Sequence, residues 1–404
     1  MPTEAVEVLI VGGGPSGLAV SRLLADAGRD HVVLEAGRIG EHWRSHRWDS
    51  FCLAGANWSL RLPGQDYAGN APEGFMPRDE IVAYLESYAR SFPVPLREGV
   101  AATSVETGTG PRCFRVETTD GTYAADHVVV ATGANRVPHV PACAAALPAW
   151  VLQLAAPAYR NPEALPPGAV LVVGAGQSAC QIAEELVRAG RRVYLSIGRC
   201  WWMPRQYRGR DSFWWAVELG WMEKAAAKEK GRAPQLTGRD GGYTINLHTL
   251  AREGVALLGH LAGVEGGTVR FAPDLAELTA QCDAEARKMF DALDAFAAER
   301  RLDDHPPDDG RDDPSLWSHD EQDPIAALDL EQAGISAVIW ATGFRRDLSL
   351  VRLPAFDAGG FPPHEMGVAA YEGLYFPALH GKDTFVGVTH DAAVIAAAIL
   401  ARTA

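Results

Sequence analysis

The sequence predicts an α/β protein with two Rossmann-like dinucleotide-binding domains, the first discontinuous and the second inserted within it. Three observations carry the prediction. A glycine-rich turn joins a strand to a helix at 12–17, a second such turn stands at 174–179, and two apolar strands, at 126–133 and 337–343, end in the same Ala-Thr-Gly. A length of 404 residues suits two or three domains of ~100–200 residues each.

The first element is the apolar run 6–11 (Val-Glu-Val-Leu-Ile-Val), the pattern of a strand buried on both faces of a parallel sheet. It enters Gly12-Gly13-Gly14-Pro15-Ser16-Gly17, after which Leu18, Ala19, Val20, Leu23 and Leu24 recur at helical spacing. Gly12 permits the tight turn, Gly14 lets the backbone approach a pyrophosphate, and Gly17 lets the helix pack against the strand. The free N–H groups and positive dipole end of that helix, with Pro15 and Ser16 in its first turn, complete a phosphate site. The next strand, 31–34, ends in Glu35, eighteen residues after Gly17, where a carboxylate accepts hydrogen bonds from a ribose. A lone GxGxxG is weak evidence, but here strand, turn, helix, strand and acid occur in order.

The pattern recurs with strand 169–173, the turn Gly174-Ala175-Gly176-Gln177-Ser178-Ala179, a helix through Ile182, Leu186 and Val187, and a strand at 193–196. Ile197 takes the place of Glu35, with Ser196 beside it and Arg199 two residues on. A missing acid with a nearby Arg marks a 2′-phosphate site, so this unit is expected to take NADPH rather than NADH. Arg199 capping a loop in solvent is the plainer alternative. Two units imply two nucleotides, and the simplest pairing is FAD in the first and NADPH in the second. The turns Ala131-Thr132-Gly133 and Ala341-Thr342-Gly343 are expected where a returning strand meets a nucleotide site. On this reading the FAD domain comprises 1–165 plus 325–404, and the NADPH domain 166–324, with a helical, Trp-rich insertion around 205–305.

Lys+Arg total 37 and Asp+Glu 51, a net charge of −14 that disfavours nucleic acid as a partner. The six cysteines, at 52, 113, 143, 180, 200 and 282, contain no CxxC. A zinc ribbon, disulfide scaffold or CxxC redox centre is disfavoured, and a reducing cytoplasm fits. The acidic start lacks the basic region of a signal peptide. Residues 140–158 carry no charge, but Pro141, Pro148 and Pro157 argue against a membrane-spanning helix, and an Ala-rich loop packed on the protein is expected.

Between 201 and 221 stand five of the eleven tryptophans, interleaved with Arg205, Arg208 and Arg210. They fit an aromatic-walled substrate pocket or, more blandly, a helix at 213–228 packed on the core, with the arginines stacked on rings or meeting a phosphate. Two short strands around Gly266-Gly267 and a helix over 275–302 follow. A linker at 303–324, rich in Asp and Pro, has no metal-ligand spacing, and no metal site is expected. The C-terminus returns a strand at 373–376 and a helix at 392–400 preceded by 387–391. His380 and His390 are candidate acid–base groups, although a lone His more often takes a polar surface or capping role.

GGGPSG, GAGQSA and the paired Ala-Thr-Gly strands resemble those of the class B flavoprotein monooxygenases, the flavin-containing monooxygenases and their bacterial relatives, over nearly the whole chain. The resemblance extends to Trp43, to Trp48-Asp49-Ser50-Phe51, Asn57-Trp58, Pro77-Arg78-Asp79-Glu80 and Tyr159-Arg160-Asn161-Pro162. It implies FAD in the first fold, with Ala36 and Val100 in that site, Trp43 near the flavin and Asn57 near its reactive face. It implies NADPH in the second fold, with Gln177 and Ser178 on the pyrophosphate, and a closing helix whose N-terminus faces the flavin. The implied reaction reduces FAD with NADPH, adds molecular oxygen to give a flavin C4a-(hydro)peroxide shielded by NADP⁺, and passes one oxygen to an amine or sulfide or beside a ketone. The tryptophans hint at a bulky or aromatic substrate, and a homo-oligomer stays open. The chain departs from the family at 151–160, with Ala where a His is usual. An NADPH-dependent flavin oxidase or reductase, passing electrons to oxygen or a partner protein, is therefore the alternative; a flavin-binding sensor is a non-catalytic one.

Overall fold

Two parallel sheets organise the chain in a computed structural model that describes residues 3–108, 113–133, 137–220, 234–302, 313–319, 323–357, 360–379 and 384–402. In the first sheet, Thr3–Val11 lies between Gly121–Val130 and His31–Glu35, all parallel. Leu96–Glu98 extends one side and Leu374–Tyr375 the other. The hairpin Ala102–Thr107 and Phe114–Thr118 adds antiparallel to Gly121–Val130. The central strand reads as an unbroken apolar run because both its faces are covered: Val8 and Ile10 join one core, Leu9 and Val11 the other.

One of these cores lies under helices Pro15–Asp26 and Phe385–Arg402, where Leu18, Val20 and Leu24 meet Val388, Ile395 and Ile399. The closing helix starts earlier than expected, so that 387–391 are its first turns rather than its approach. Among the described residues it is the one helix long and apolar enough to cross a membrane, and its apolar side is buried against the first helix.

The second sheet has five parallel strands in the order Leu152–Ala155, Ile335–Trp340, Ala169–Val173, Val193–Ser196, Ala256–Leu258. Two expectations are corrected here. Residues 152–155 form an edge strand rather than loop, and 335–340, assigned to the FAD domain, is the returning strand of the second sheet. Parallel neighbours require a crossover, and this strand fills the gap between 152–155 and 169–173. The expected boundaries at 165 and 325 therefore part strands of one sheet. The crossings between the two units lie elsewhere, where Val137–Pro138 pairs antiparallel with Phe344–Arg345 just beyond the two Ala-Thr-Gly turns. The His139 N–H donates to the Gly343 carbonyl at 2.8 Å, and the Thr342 hydroxyl donates back to the His139 carbonyl.

The insertion is helical only in part. Asp211 caps a short helix, Ser212–Glu218, by accepting from the Phe213 N–H. The rest of the helix expected at 213–228 lies largely outside the described residues, as do Trp221, His380 and most of 303–324. The hairpin Leu261–Glu265 and Thr268–Phe271 turns at Gly266-Gly267 as expected, and Ala327–Asp329 joins it. Trp202 and Trp215 serve the core, and Trp214 packs against it. Trp202 is 0% exposed and stands edge-on to Phe290 at 5.9 Å; Trp215 is 1% exposed and edge-on to Phe296 at 6.3 Å. Phe290 sits on the buried face of Leu275–Arg300 together with Leu278, Cys282 and Leu293, the period the sequence shows.

Candidate functional site

Both glycine-rich turns leave the middle of a parallel sheet with the same geometry. The Gly12 N–H donates to the Leu34 carbonyl at 2.7 Å, and the Gly174 N–H to the Ser196 carbonyl at 2.9 Å. Their φ values are +116° and +130°. A Cβ at Gly12 would stand 2.4 Å from the Ala131 carbonyl oxygen, and one at Gly174 2.2 Å from that of Ala341. The Ala-Thr-Gly strands thus press on both turns, and glycine is needed twice for one steric reason.

The next glycine differs. A Cβ at Gly14 or Gly176 would meet nothing within 4 Å, so each helix N-terminus opens onto a hollow. Neither helix has a side-chain cap or an acid in its first turn. The orphan N–H groups around Pro15-Ser16-Gly17 and Gln177-Ser178-Ala179 are left for an anion, which suits a pyrophosphate in each hollow.

Beside the first hollow, Glu35 is held ready. Its Oε2 accepts from the Gly13 N–H at 2.8 Å and its Oε1 from the Gly37 N–H at 2.9 Å, leaving lone pairs for a ribose. Ala36 is exposed next to it, and buried Val100 donates its N–H to the Glu35 carbonyl at 2.9 Å. Thr132 and Gly133 lie on the rim of this turn, half-buried and exposed respectively. The second site is built differently from the expectation. Ser196 is 1% exposed and its hydroxyl donates to the Gly259 carbonyl at 2.9 Å, so it contributes a backbone carbonyl to the turn and no hydroxyl to a phosphate. Arg199 is exposed and keeps its candidacy.

Asn57 opens the short helical turn Asn57–Ser59 and is 5% exposed. Its N–H donates to the Gly74 carbonyl at 2.8 Å and its Nδ2 to that of Ala71 at 3.0 Å, while Oδ1 is buried with no protein partner. A buried acceptor left open in this way fits a bound group with a donor. Trp43 lies in Glu41–Ser45, 5.8 Å from the Phe51 ring, with the Arg47 guanidinium over both rings. Neighbouring His42 stacks on His46 at 4.9 Å, and burial, then Arg47, pushes its pKa down to about 3, so it is neutral.

The structure gives work to motifs that carried no role in the sequence. The Tyr159 hydroxyl donates to Glu185 at 2.7 Å and the Ser50 hydroxyl to its other oxygen at 2.5 Å. Burial, and then Glu185, raise the Tyr159 phenol above its ordinary range, which keeps it a donor. Asp49 accepts from Arg78 at 2.7 Å and from Asn161 at 2.6 Å. Trp-Asp-Ser-Phe, Pro-Arg-Asp-Glu and Tyr-Arg-Asn-Pro therefore meet in one knot, on the helix whose N-terminus forms the second hollow. The missed residue is Glu185, and its signal was an acid on the apolar face shared by Ile182 and Leu186. Arg205, a candidate for a phosphate, is buried in an ion pair with Asp211 at 2.7 Å instead.

Comparison with known proteins agrees with this architecture. The pyridine nucleotide-disulphide oxidoreductase family matches residues 9–211. An uncharacterized CzcO-like oxidoreductase of Geobacillus kaustophilus is 31% identical over 395 residues, 96% of each chain. A probable indole-3-pyruvate monooxygenase of Arabidopsis thaliana, YUCCA1, is 31% identical over 209 residues, 51% of this chain and 50% of that one. A flavin-containing monooxygenase from Stenotrophomonas maltophilia shares the fold along the whole of both chains, with a TM-score of 0.67 at 19% identity. With two dinucleotide turns, end-to-end identity to a CzcO-like relative and the two-unit fold of a flavin-containing monooxygenase, the chain belongs to the pyridine nucleotide-disulphide oxidoreductase family and is an oxidoreductase.

Proposed function

We propose that the chain is a cytoplasmic FAD- and NADPH-dependent monooxygenase that passes one atom of molecular oxygen to a small organic substrate, by N- or S-oxygenation or Baeyer–Villiger-type insertion. The observation that carries this reading is the buried, unpartnered Oδ1 of Asn57 in the first of two units that each present an open nucleotide cradle. Relatives and fold neighbours named as monooxygenases support it, and six free cysteines suit a reducing compartment.

When bound, FAD supplies hydride acceptance and reaction with oxygen, chemistry no side chain provides. The chain's own residues bind and orient. The hollow at Gly14 takes the FAD pyrophosphate and Glu35 its ribose; the hollow at Gly176, with Gln177 and Ser178, takes that of NADPH, and Arg199 its 2′-phosphate. Asn57 holds a donor beside the flavin through Oδ1, in a setting screened from water.

A second reading, an NADPH-dependent oxidase or reductase, is favoured by one observation: 151–160 has Ala where the class B flavoprotein monooxygenases it resembles usually have a His. Turnover under ¹⁸O₂ with amine, sulfide and ketone panels separates the two. Labelled product, with peroxide below half of the NADPH consumed, is expected. Peroxide equal to NADPH with every panel member moves the assignment to the oxidase.

A further inference from the structure

The second unit grips the segment that carries Asn57, and one guanidinium reaches both sides of it. Arg205 follows the strand Val193–Ser196 in the second unit. It is fixed there from two sides: its N–H donates to the Thr244 hydroxyl at 3.0 Å, and its Nη2 pairs with Asp211 at 2.7 Å. Asp211 is fixed in turn by capping Ser212–Glu218. The side chains of the pair are 3% and 6% exposed. From this anchorage the guanidinium reaches into the first unit. Its Nη1 donates to the Ala54 carbonyl at 2.7 Å, and its Cζ lies over the Phe75 ring, 4.7 Å from the centroid.

Those two contacts bracket Asn57. Ala54 precedes it by three residues. Phe75 follows Gly74, whose carbonyl accepts the Asn57 N–H at 2.8 Å. Close approach of the backbones adds to the grip: a Cβ at Gly238 would stand 1.9 Å from the Leu53 carbonyl oxygen. A fork is required, because a single ammonium cannot hold Asp211 and Ala54 from two separate nitrogens while standing over Phe75. The Nε of Arg205 remains buried without a partner, so the group is held by this arrangement and not by full hydrogen bonding.

We propose that Arg205, with Asp211, is a positioning residue that clamps 53–57 and 71–75 of the first unit to the second and thereby sets Asn57 at the reactive face of the flavin. That last step rests on the monooxygenase reading; the clamp itself rests on the contacts alone.

Amide hydrogen exchange on the FAD-loaded full chain tests the clamp without reference to turnover. Arg205→Lys is expected to raise exchange at 53–58 and 71–76 at least tenfold and to leave helices Pro15–Asp26 and Gln177–Arg188 within twofold. No change in those two segments, or an equal rise everywhere, overturns the proposal. Phe75→Leu loosens the same segments without leaving a charge unpaired, and serves if Arg205→Lys does not fold. Action through Asn57 is read from a double-mutant cycle on anaerobic flavin reduction by NADPH. Arg205→Lys is expected to slow reduction at least tenfold in the native background and under twofold beside Asn57→Ala. The same factor in both backgrounds overturns the positioning role. A wild-type protein that makes only peroxide sinks the monooxygenase reading and leaves the exchange result standing.

Discussion

One methyl group separates the two kinds of glycine in each nucleotide turn. At Gly12 it would meet the Ala131 carbonyl at 2.4 Å in a φ of +116°, whereas at Gly14 it would meet nothing. Gly12→Ala is therefore expected to cost about 2–4 kcal/mol of stability, read from urea unfolding of the FAD-free protein. Gly14→Ala is expected to leave that curve in place and lower FAD content at least tenfold, because the methyl fills the phosphate hollow. Equal curves for the two variants would refute the distinction. Arg199→Ala is expected to lower kcat/KM for NADPH at least tenfold and leave NADH unchanged, which steady-state assays of both cofactors check. His42 gives a pH dependence with a defined sign. Burial holds its folded pKa down at about 3 against 6.5 unfolded, so its contribution is present above pH 6.5 and is lost as pH falls toward 3. His31, His46 and His127 are lowered by burial too, so unfolding at pH 7 and pH 5 is expected to show a loss larger in the wild type than in His42→Gln by on the order of 1–2 kcal/mol. At this scale the tight turns at Gly12 and Gly174 and the standing of Glu35 beside the first turn were legible, since they depend on a turn and its next strand. The Ser196 hydroxyl was not, because its partner, Gly259, is brought to it only by the fold.

Among the elements, helix Gln177–Arg188 carries an open hollow at its start, which we assign to a pyrophosphate, and a polar knot on its buried side. Glu185→Ala strands the Tyr159 and Ser50 hydroxyls and is expected to cost about 2–4 kcal/mol, while Glu185→Gln keeps an acceptor and loses less; chemical denaturation of both variants decides. Elements with a long apolar period were readable, as Leu275–Arg300 shows. The edge strand Leu152–Ala155 was not, because four residues near three prolines show no period. The closing helix was begun too late because Gly387 reads as a breaker; its burial against the first helix outweighs that propensity.

For the molecule as a whole, the paired crossings Val137–Pro138 and Phe344–Arg345, the knot on Glu185 and the Arg205 contacts tie the units. Calorimetry is expected to show one unfolding transition, which NADPH at a hundred times its Kd raises by about 2.7 kcal/mol. Two transitions, of which NADPH moves only one, would mean that the units unfold apart. The doubly wound fold and the pairing of two nucleotide units were readable because each unit repeats a complete local grammar. The membership of Ile335–Trp340 was not, since strand order in a sheet is set by crossovers and Ala-Thr-Gly marks both returns alike.

The closing helix has a consequence for the order in which the protein is made. The second sheet has all its strands once Trp340 is synthesised, although its turn is the later of the two. The first unit must wait: the core of Leu18, Val20 and Leu24 stays incomplete until Val388, Ile395 and Ile399 emerge from the ribosome. The site whose glycines are translated first is thus the last to gain a finished floor, and a chain stalled before residue 385 would present that apolar surface to chaperones and proteases.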